Sequence, residues 1–149
     1  MLNIAVPAAV PAATTVESLI YKHFAVELVE GVEGCTCGVI ADHQSVRVLR
    51  DWPDVLIVQL LRTVCNKHTQ INTKVMSAVT SFVDINLCGV SYACVAAVIH
   101  SGESVHTGHY ISYLFHEGNV VRINNDHVSL VAQEQINNRL LYLLWYRRV

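Results

Sequence analysis

His109 is the residue of this chain whose type and surroundings most clearly suit it to move a proton. A loop of small and polar residues, Ser101 to Gly108, precedes it, and a strand-like run, His109 to Phe115, follows. Glu117-Gly118-Asn119 turns the chain, Val120 to Ile123 reads as a second strand, and Asn124, Asn125 and Asp126 close it. Such a hairpin sets the start of one strand beside the end of the other. His109 is therefore expected close to the Asn125-Asp126 pair. An imidazole held at one nitrogen by a carboxamide or carboxylate presents its other nitrogen to a nucleophile in the right tautomer. That is the base-and-orienter half of a nucleophilic triad. Asn125 and Asp126 both qualify as the orienter at this level.

The nucleophile is harder to find. Of the five cysteines, Cys65 falls in a polar loop beside Asn66 and Lys67, while Cys88 and Cys94 fall in apolar, strand-like runs. Apolar burial raises a thiol's pKa and makes it a poor nucleophile. Cys35-Thr36-Cys37-Gly38 would be half of a zinc site, but a structural zinc wants four ligands, and His43 or His23 are the only additions at hand. A turn with two free thiols is expected there, with no metal and no other cofactor.

The elements that must hold His109 read as follows. Leu2 to Val6 suits a short strand, and the Ala/Pro stretch to Ala13 a connector. Thr14 and Glu17 match a capping box, and Leu19, Ile20, His23 and Phe24 recur at helical spacing, so a helix is expected from about Thr15 to Phe24. Ser45 to Leu49 alternates like a strand. Val55 to Leu61 is a continuous apolar run, expected as a strand buried on both faces, with Pro53 before it. Ile71 to Val75, Ser81 to Leu87, Tyr92 to His100 and Leu140 to Tyr146 supply further strands, and Val128 to Ile136 a short helical turn. Mostly antiparallel strands with one or two helices make an α+β fold.

A chain of 149 residues supports one domain. Its 52% hydrophobic and 15% charged residues suggest apolar surface meant for a partner or a missing half. A net charge of −2 offers no clustered basic face for nucleic acid. The apolar N-terminus lacks a positive region and is broken by Pro7 and Pro11, so it does not read as a signal peptide. No run reaches the ~18 apolar residues of a membrane span. An odd cysteine count fits a reduced, intracellular setting, cytoplasmic or nuclear.

The order His100-Ser101-Gly102, a short loop, Gly108-His109-Tyr110, a strand, Asn125-Asp126 and a final Tyr-rich strand resembles the end of the ubiquitin-specific protease domain. Trp52-Pro53-Asp54-Val55-Leu56 through Leu60-Leu61-Arg62 resembles that family's Leu-Pro-x-Val-Leu strand, although Leu61 and Thr63 replace the usual Lys and Phe. Leu141 to Arg147 is similar to its closing strand. The resemblance covers nearly the whole chain, residues 1–149, but only the second half of the family's domain. It implies the palm and fingers part of a papain-like cysteine deubiquitinase, which cuts the (iso)peptide bond after the C-terminal Gly-Gly of ubiquitin. His109 would be the general base, Asn125 its orienter and Asp126 a neighbouring acid. His100, Ser101, Gly102, Gly108 and Tyr110 would line the channel for the ubiquitin tail. The family's nucleophile belongs to an N-terminal Gly/Asn/Thr-rich motif ending in cysteine, which these residues do not contain. The chain alone is expected to be inactive. The expected partners are ubiquitin or a ubiquitinated protein and a missing N-terminal half, not nucleic acid or membrane. The alternative is a truncated relative that binds ubiquitin without hydrolysing it.

Overall fold

The computed structural model describes residues 1–8, 14–32, 36, 38 and 40–149. Cys35, Cys37 and the rest of the Ala/Pro connector beyond Ala8 lie outside these residues. Its strands are β1 (Leu2–Ala5), β2 (Glu27–Val32), β3 (Ala41–Ser45), β4 (Val55–Leu61), β5 (Thr63–Cys65), β6 (Asn72–Lys74), β7 (Asp84–Leu87), β8 (Val90–Ser101), β9 (His109–His116), β10 (Asn119–Asn124), β11 (His127–Val131) and β12 (Leu141–Arg148). Among the described residues, one helix, α1 (Val16–Phe24), and a 3-10 turn at Gln133–Gln135 complete it. The main sheet runs β1-β4-β12-β8-β9-β10-β11, with β7 also on β8. All its pairings are antiparallel except β1 with β4. The α+β, mainly antiparallel expectation is met. Among the described residues, no helix is long and apolar enough to cross a membrane.

One face of this sheet is the core. Strand alternation, with a register shift in β12 between Leu141 and Leu143, puts Leu56, Val58 and Leu60 of β4, Leu141, Leu144 and Tyr146 of β12, and Ile111 and Tyr113 of β9 on it. Val16, Leu19 and Ile20 of α1 cover it at spacings of three and four residues, one stripe of a helix. The cap of α1 differs from expectation by one residue. Thr15, not Thr14, accepts from the Ser18 amide at 3.1 Å, and Ser18 answers the Thr15 amide at 3.1 Å. Glu17 is thereby free to accept from the Asn86 amide, and the Tyr21 hydroxyl accepts from the Cys88 amide at 3.0 Å. The helix thus pins the β7–β8 turn.

Three further expectations need correction. β4 is not buried on both faces: Val55 is 57% exposed and Leu61 41%. The strand expected at Ser45 to Leu49 lies earlier, because β2 takes its partners from Ala41–Ser45 and leaves Val46 and Val48 without a ladder. Val128 falls in β11, which pairs with β10, and only Gln133–Gln135 turns helically.

Candidate active site

The hairpin of β9 and β10 closes through Glu117 and Gly118, with φ of 49° and 75°. Two successive positive φ values make the tight turn whose twist matches paired strands. This two-residue turn fixes the register: His116 faces Asn119, Tyr113 faces Arg122 and Ser112 faces Ile123. Extended by one pair, the ladder sets Asn124 opposite Ile111. Residues facing each other, and every second residue along a strand, share a side of the sheet. His109, Ile111 and Asn124 are therefore on one side.

The ring of His109 meets Asn124 there, through Nε2 and Oδ1. A carboxamide oxygen only accepts, so Nε2 is the donor, and in the neutral ring the lone pair is then on Nδ1. The sequence reading placed this contact one or two residues later, on Asn125 or Asp126. In the structure, neither hydrogen-bonds the ring. Asn125 would face Tyr110, on the wrong side of the sheet, and it takes φ 53° as the first residue of the two-residue turn between Asn124 and His127. Asp126 has the right parity but occupies the second turn position, exposed to solvent. Counting the pleat back from a two-residue Glu117-Gly118 turn was the signal that would have found Asn124.

The other expected residues form the root of the loop before β9. Ser101 pairs with His109 across β8 and β9, and His100 pairs with Tyr110. By the same alternation His100 and Tyr110 share the sheet side opposite His109. Their rings are 4.8 Å apart, and Tyr110 continues to Tyr142 at 5.7 Å. Gln59 Nε2 donates to the Tyr142 hydroxyl at 2.8 Å, so this aromatic row is anchored to β4. Burial, and next the positive charge of Lys74, push the His100 pKa down, so the ring is neutral near pH 7. A cleft of ≈ 120 Å³ opens beside it, lined by Arg62, Lys74, Val105 and Tyr110 among others. His106 is an exposed loop residue whose amide donates to Ser104 Oγ at 3.0 Å.

The two glycines serve the loop itself. Gly102 has φ +131°, and a Cβ there would fall 2.9 Å from the Thr107 carbonyl oxygen. A Cβ on Gly108 would overlap the His100 ring and the Ser101 carbonyl. Both glycines thus let the loop's two ends approach each other and the His100 ring.

No described thiol hydrogen-bonds His109. Cys94 is buried and its pKa is pushed up to about 12 by that burial. Cys88 follows β7, before the start of β8, whereas His109 pairs with the end of β8. At ~3.3 Å per residue, the length of β8 separates them by tens of ångströms. Cys65 is exposed, and its Sγ contacts the Asn66 carbonyl oxygen at 3.8 Å. Among the described residues, no group of three or more His, Cys, Asp or Glu could hold a metal ion.

Residues 8–146 match the family model described as ubiquitin carboxyl-terminal hydrolase. The chain belongs to this hydrolase family. Ubiquitin carboxyl-terminal hydrolase 3 of Mus musculus is 34% identical over 55 residues, which are 37% of this chain and 11% of that protein. The Homo sapiens protein of the same name is 36% identical over 55 residues, again 37% of this chain and 11% of its own length. Among solved structures, the SAGA Ubp8/Sgf11/Sus1/Sgf73 DUB module bound to ubiquitin aldehyde matches with a TM-score of 0.76 at 19% identity. The match covers 99% of this chain and 35% of that one. The Ubp8-Sgf11-Sgf73-Sus1 SAGA DUB module matches with a TM-score of 0.74 at 20% identity, covering 99% and 33%. The hydrolase-family sheet described above is thus the fold of these neighbours, and this chain spans about a third of their length.

Proposed function

We propose that this chain is the base-bearing part of a ubiquitin carboxyl-terminal hydrolase, in which His109 is the general base and acid and Asn124 its orienter. One observation carries the reading: Asn124 holds Nε2 of His109, which leaves Nδ1 for a thiol. In the reaction, Nδ1 takes the proton of a cysteine as its sulfur attacks the carbonyl carbon of the last glycine of the ubiquitin Gly-Gly. The resulting imidazolium gives that proton to the departing amine, and a thioester remains. Water then attacks the thioester, His109 takes the water's proton, and the proton returns to the cysteine sulfur as it leaves. A free thiol has a pKa of ~8.5, and a neighbouring imidazolium lowers it by several units, so the pair favours the thiolate. His100 and Tyr110, with the loop from Ser101 to Gly108, are read as one wall of the channel for the ubiquitin tail.

The cysteine is read as coming from chain outside the described residues, or from a partner, because no described thiol hydrogen-bonds His109. The same observation favours a second reading, a module that binds ubiquitin and does not cut it. The test joins these 149 residues in frame to a family segment carrying the nucleophile, and follows release of a fluorophore from the C-terminus of ubiquitin. The joined protein is expected to turn over, and the 149-residue chain alone to match a buffer blank. A joined, folded and ubiquitin-binding protein that stays inactive would leave the binding module as the better reading. Labelling of the isolated chain by ubiquitin with a thiol-reactive C-terminus would show a nucleophile within it, against this division of labour.

A further inference from the structure

Lys74, at the end of β6, reaches out of its own hairpin. Its Nζ donates to the carbonyl oxygen of His100 at 2.7 Å and of Gly102 at 2.5 Å. Those carbonyls flank Ser101, the residue paired with His109. They mark the point where β8 ends and the loop before β9 begins. No carboxylate among the described residues forms an ion pair with Lys74. Its charge is met by carbonyl dipoles, and hydrogen bonds with one charged partner are stronger than neutral ones. Burial, followed by the nearby Arg62 charge, lowers the pKa of the ammonium. Both effects raise the energy of placing a cation here, and the two short bonds oppose them. Gly102 holds a φ of +131°, which glycine reaches without strain and L side chains rarely adopt.

We propose that Lys74 is a positioning residue: its ammonium clamps the His100 and Gly102 carbonyls and so holds the loop from Ser101 to Gly108 closed beside His109. The catalytic consequence rests on His109 being the base, whereas the clamp itself is read without turnover. Failure of one is therefore distinguishable from failure of the other. The loop carries its own reporter, the exposed Glu103, and the β9–β10 turn carries a second, the exposed Glu117. The experiment is limited digestion of the chain by a glutamate-specific protease, in the parent, Lys74→Met and Lys74→Arg. Loss of two charge-assisted bonds should speed cleavage after Glu103 by about tenfold or more in Lys74→Met. Cleavage after Glu117 should stay within about twofold of the parent, since the clamp acts on the loop root alone. Lys74→Arg, which keeps the charge and the donors, should cleave close to the parent rate. Equal cleavage after Glu103 in parent and Lys74→Met would overturn the proposal. So would parallel acceleration at Glu103 and Glu117, which means general loosening, or a Lys74→Arg variant as labile as Lys74→Met.

Discussion

Replacing His109 with Ala in an enzyme that joins this chain to its nucleophile is expected to stop hydrolysis of ubiquitin conjugates and leave ubiquitin binding within a few-fold. The size of the effect follows from what the ring does. Without a base the sulfur stays largely protonated near neutral pH, and the departing amine loses its acid. Removing the histidine of a comparable nucleophile-histidine pair costs up to roughly a millionfold in turnover, and a thiol, more acidic than a hydroxyl, should lose less. A fall of roughly three orders of magnitude or more is expected. Binding should survive because His109 is a single half-buried side chain at a strand end, with its ring committed to Asn124. Steady-state fluorophore release and a ubiquitin titration on the same preparation measure both quantities. A His109→Ala protein that keeps more than about a tenth of parental turnover is incompatible with a general base at this position.

The second large effect concerns stability. Arg62 is 4% exposed, and its guanidinium serves four backbone carbonyls: Leu141 at 2.5 Å, Ser77 at 2.8 Å, and Val75 and Asn138 at 3.1 Å. It therefore ties β4 to the segment after β6 and to the entry of β12. Burial lowers its pKa to about 10, which still leaves it charged at neutral pH. Arg62→Met keeps much of the aliphatic stem and removes every donor. A buried carbonyl left unpaired costs about 1–3 kcal/mol. With some of the four reached by water, a loss of roughly 4 kcal/mol is expected, a large part of a domain's usual 5–15 kcal/mol. The melting midpoint should fall by on the order of 10 °C. Arg62→Lys retains a charge with fewer, differently directed donors and should fall between the two. Thermal and urea unfolding of the three proteins measure this. A Met variant within about 1 kcal/mol of the parent would mean that the four carbonyls find other partners.

What the sequence made legible depended on how local the cause was. β8, β9, β12 and α1 carry their own signals, alternating or helical spacing bounded by turn residues, and they were readable to within a residue or two. The hairpin that carries His109 was readable because Glu117 and Gly118 form a two-residue turn. The expectation at Asn125 or Asp126 came from matching the ends of the hairpin without counting its register. A strand reverses side at every residue, so a shift of one moves the amide to the opposite side of the sheet. Ser45 to Leu49 alternates as well as any strand, yet strands need partners, and β2 pairs with Ala41–Ser45 instead. Leu61 and Val55 belong to an apolar run but sit on the uncovered side of β4, where composition alone gives no warning. Arg62 and Lys74 were invisible as organising residues. Their partners are backbone carbonyls 13 to 79 positions away, which no side-chain pattern encodes.

The central claim is that Asn124, rather than Asn125 or Asp126, holds Nε2 of His109 and leaves Nδ1 as the base. It can be measured on this chain without a nucleophile or a substrate. Imidazole nitrogen NMR at a pH where the ring is neutral reports which nitrogen carries the proton. The prediction is a His109 ring protonated at Nε2 in the parent, in Asn125→Ala and in Asp126→Ala, with the mixture typical of a free imidazole appearing only in Asn124→Ala. A parent ring protonated at Nδ1, or a ring released by Asn125→Ala or Asp126→Ala and unchanged in Asn124→Ala, would contradict it.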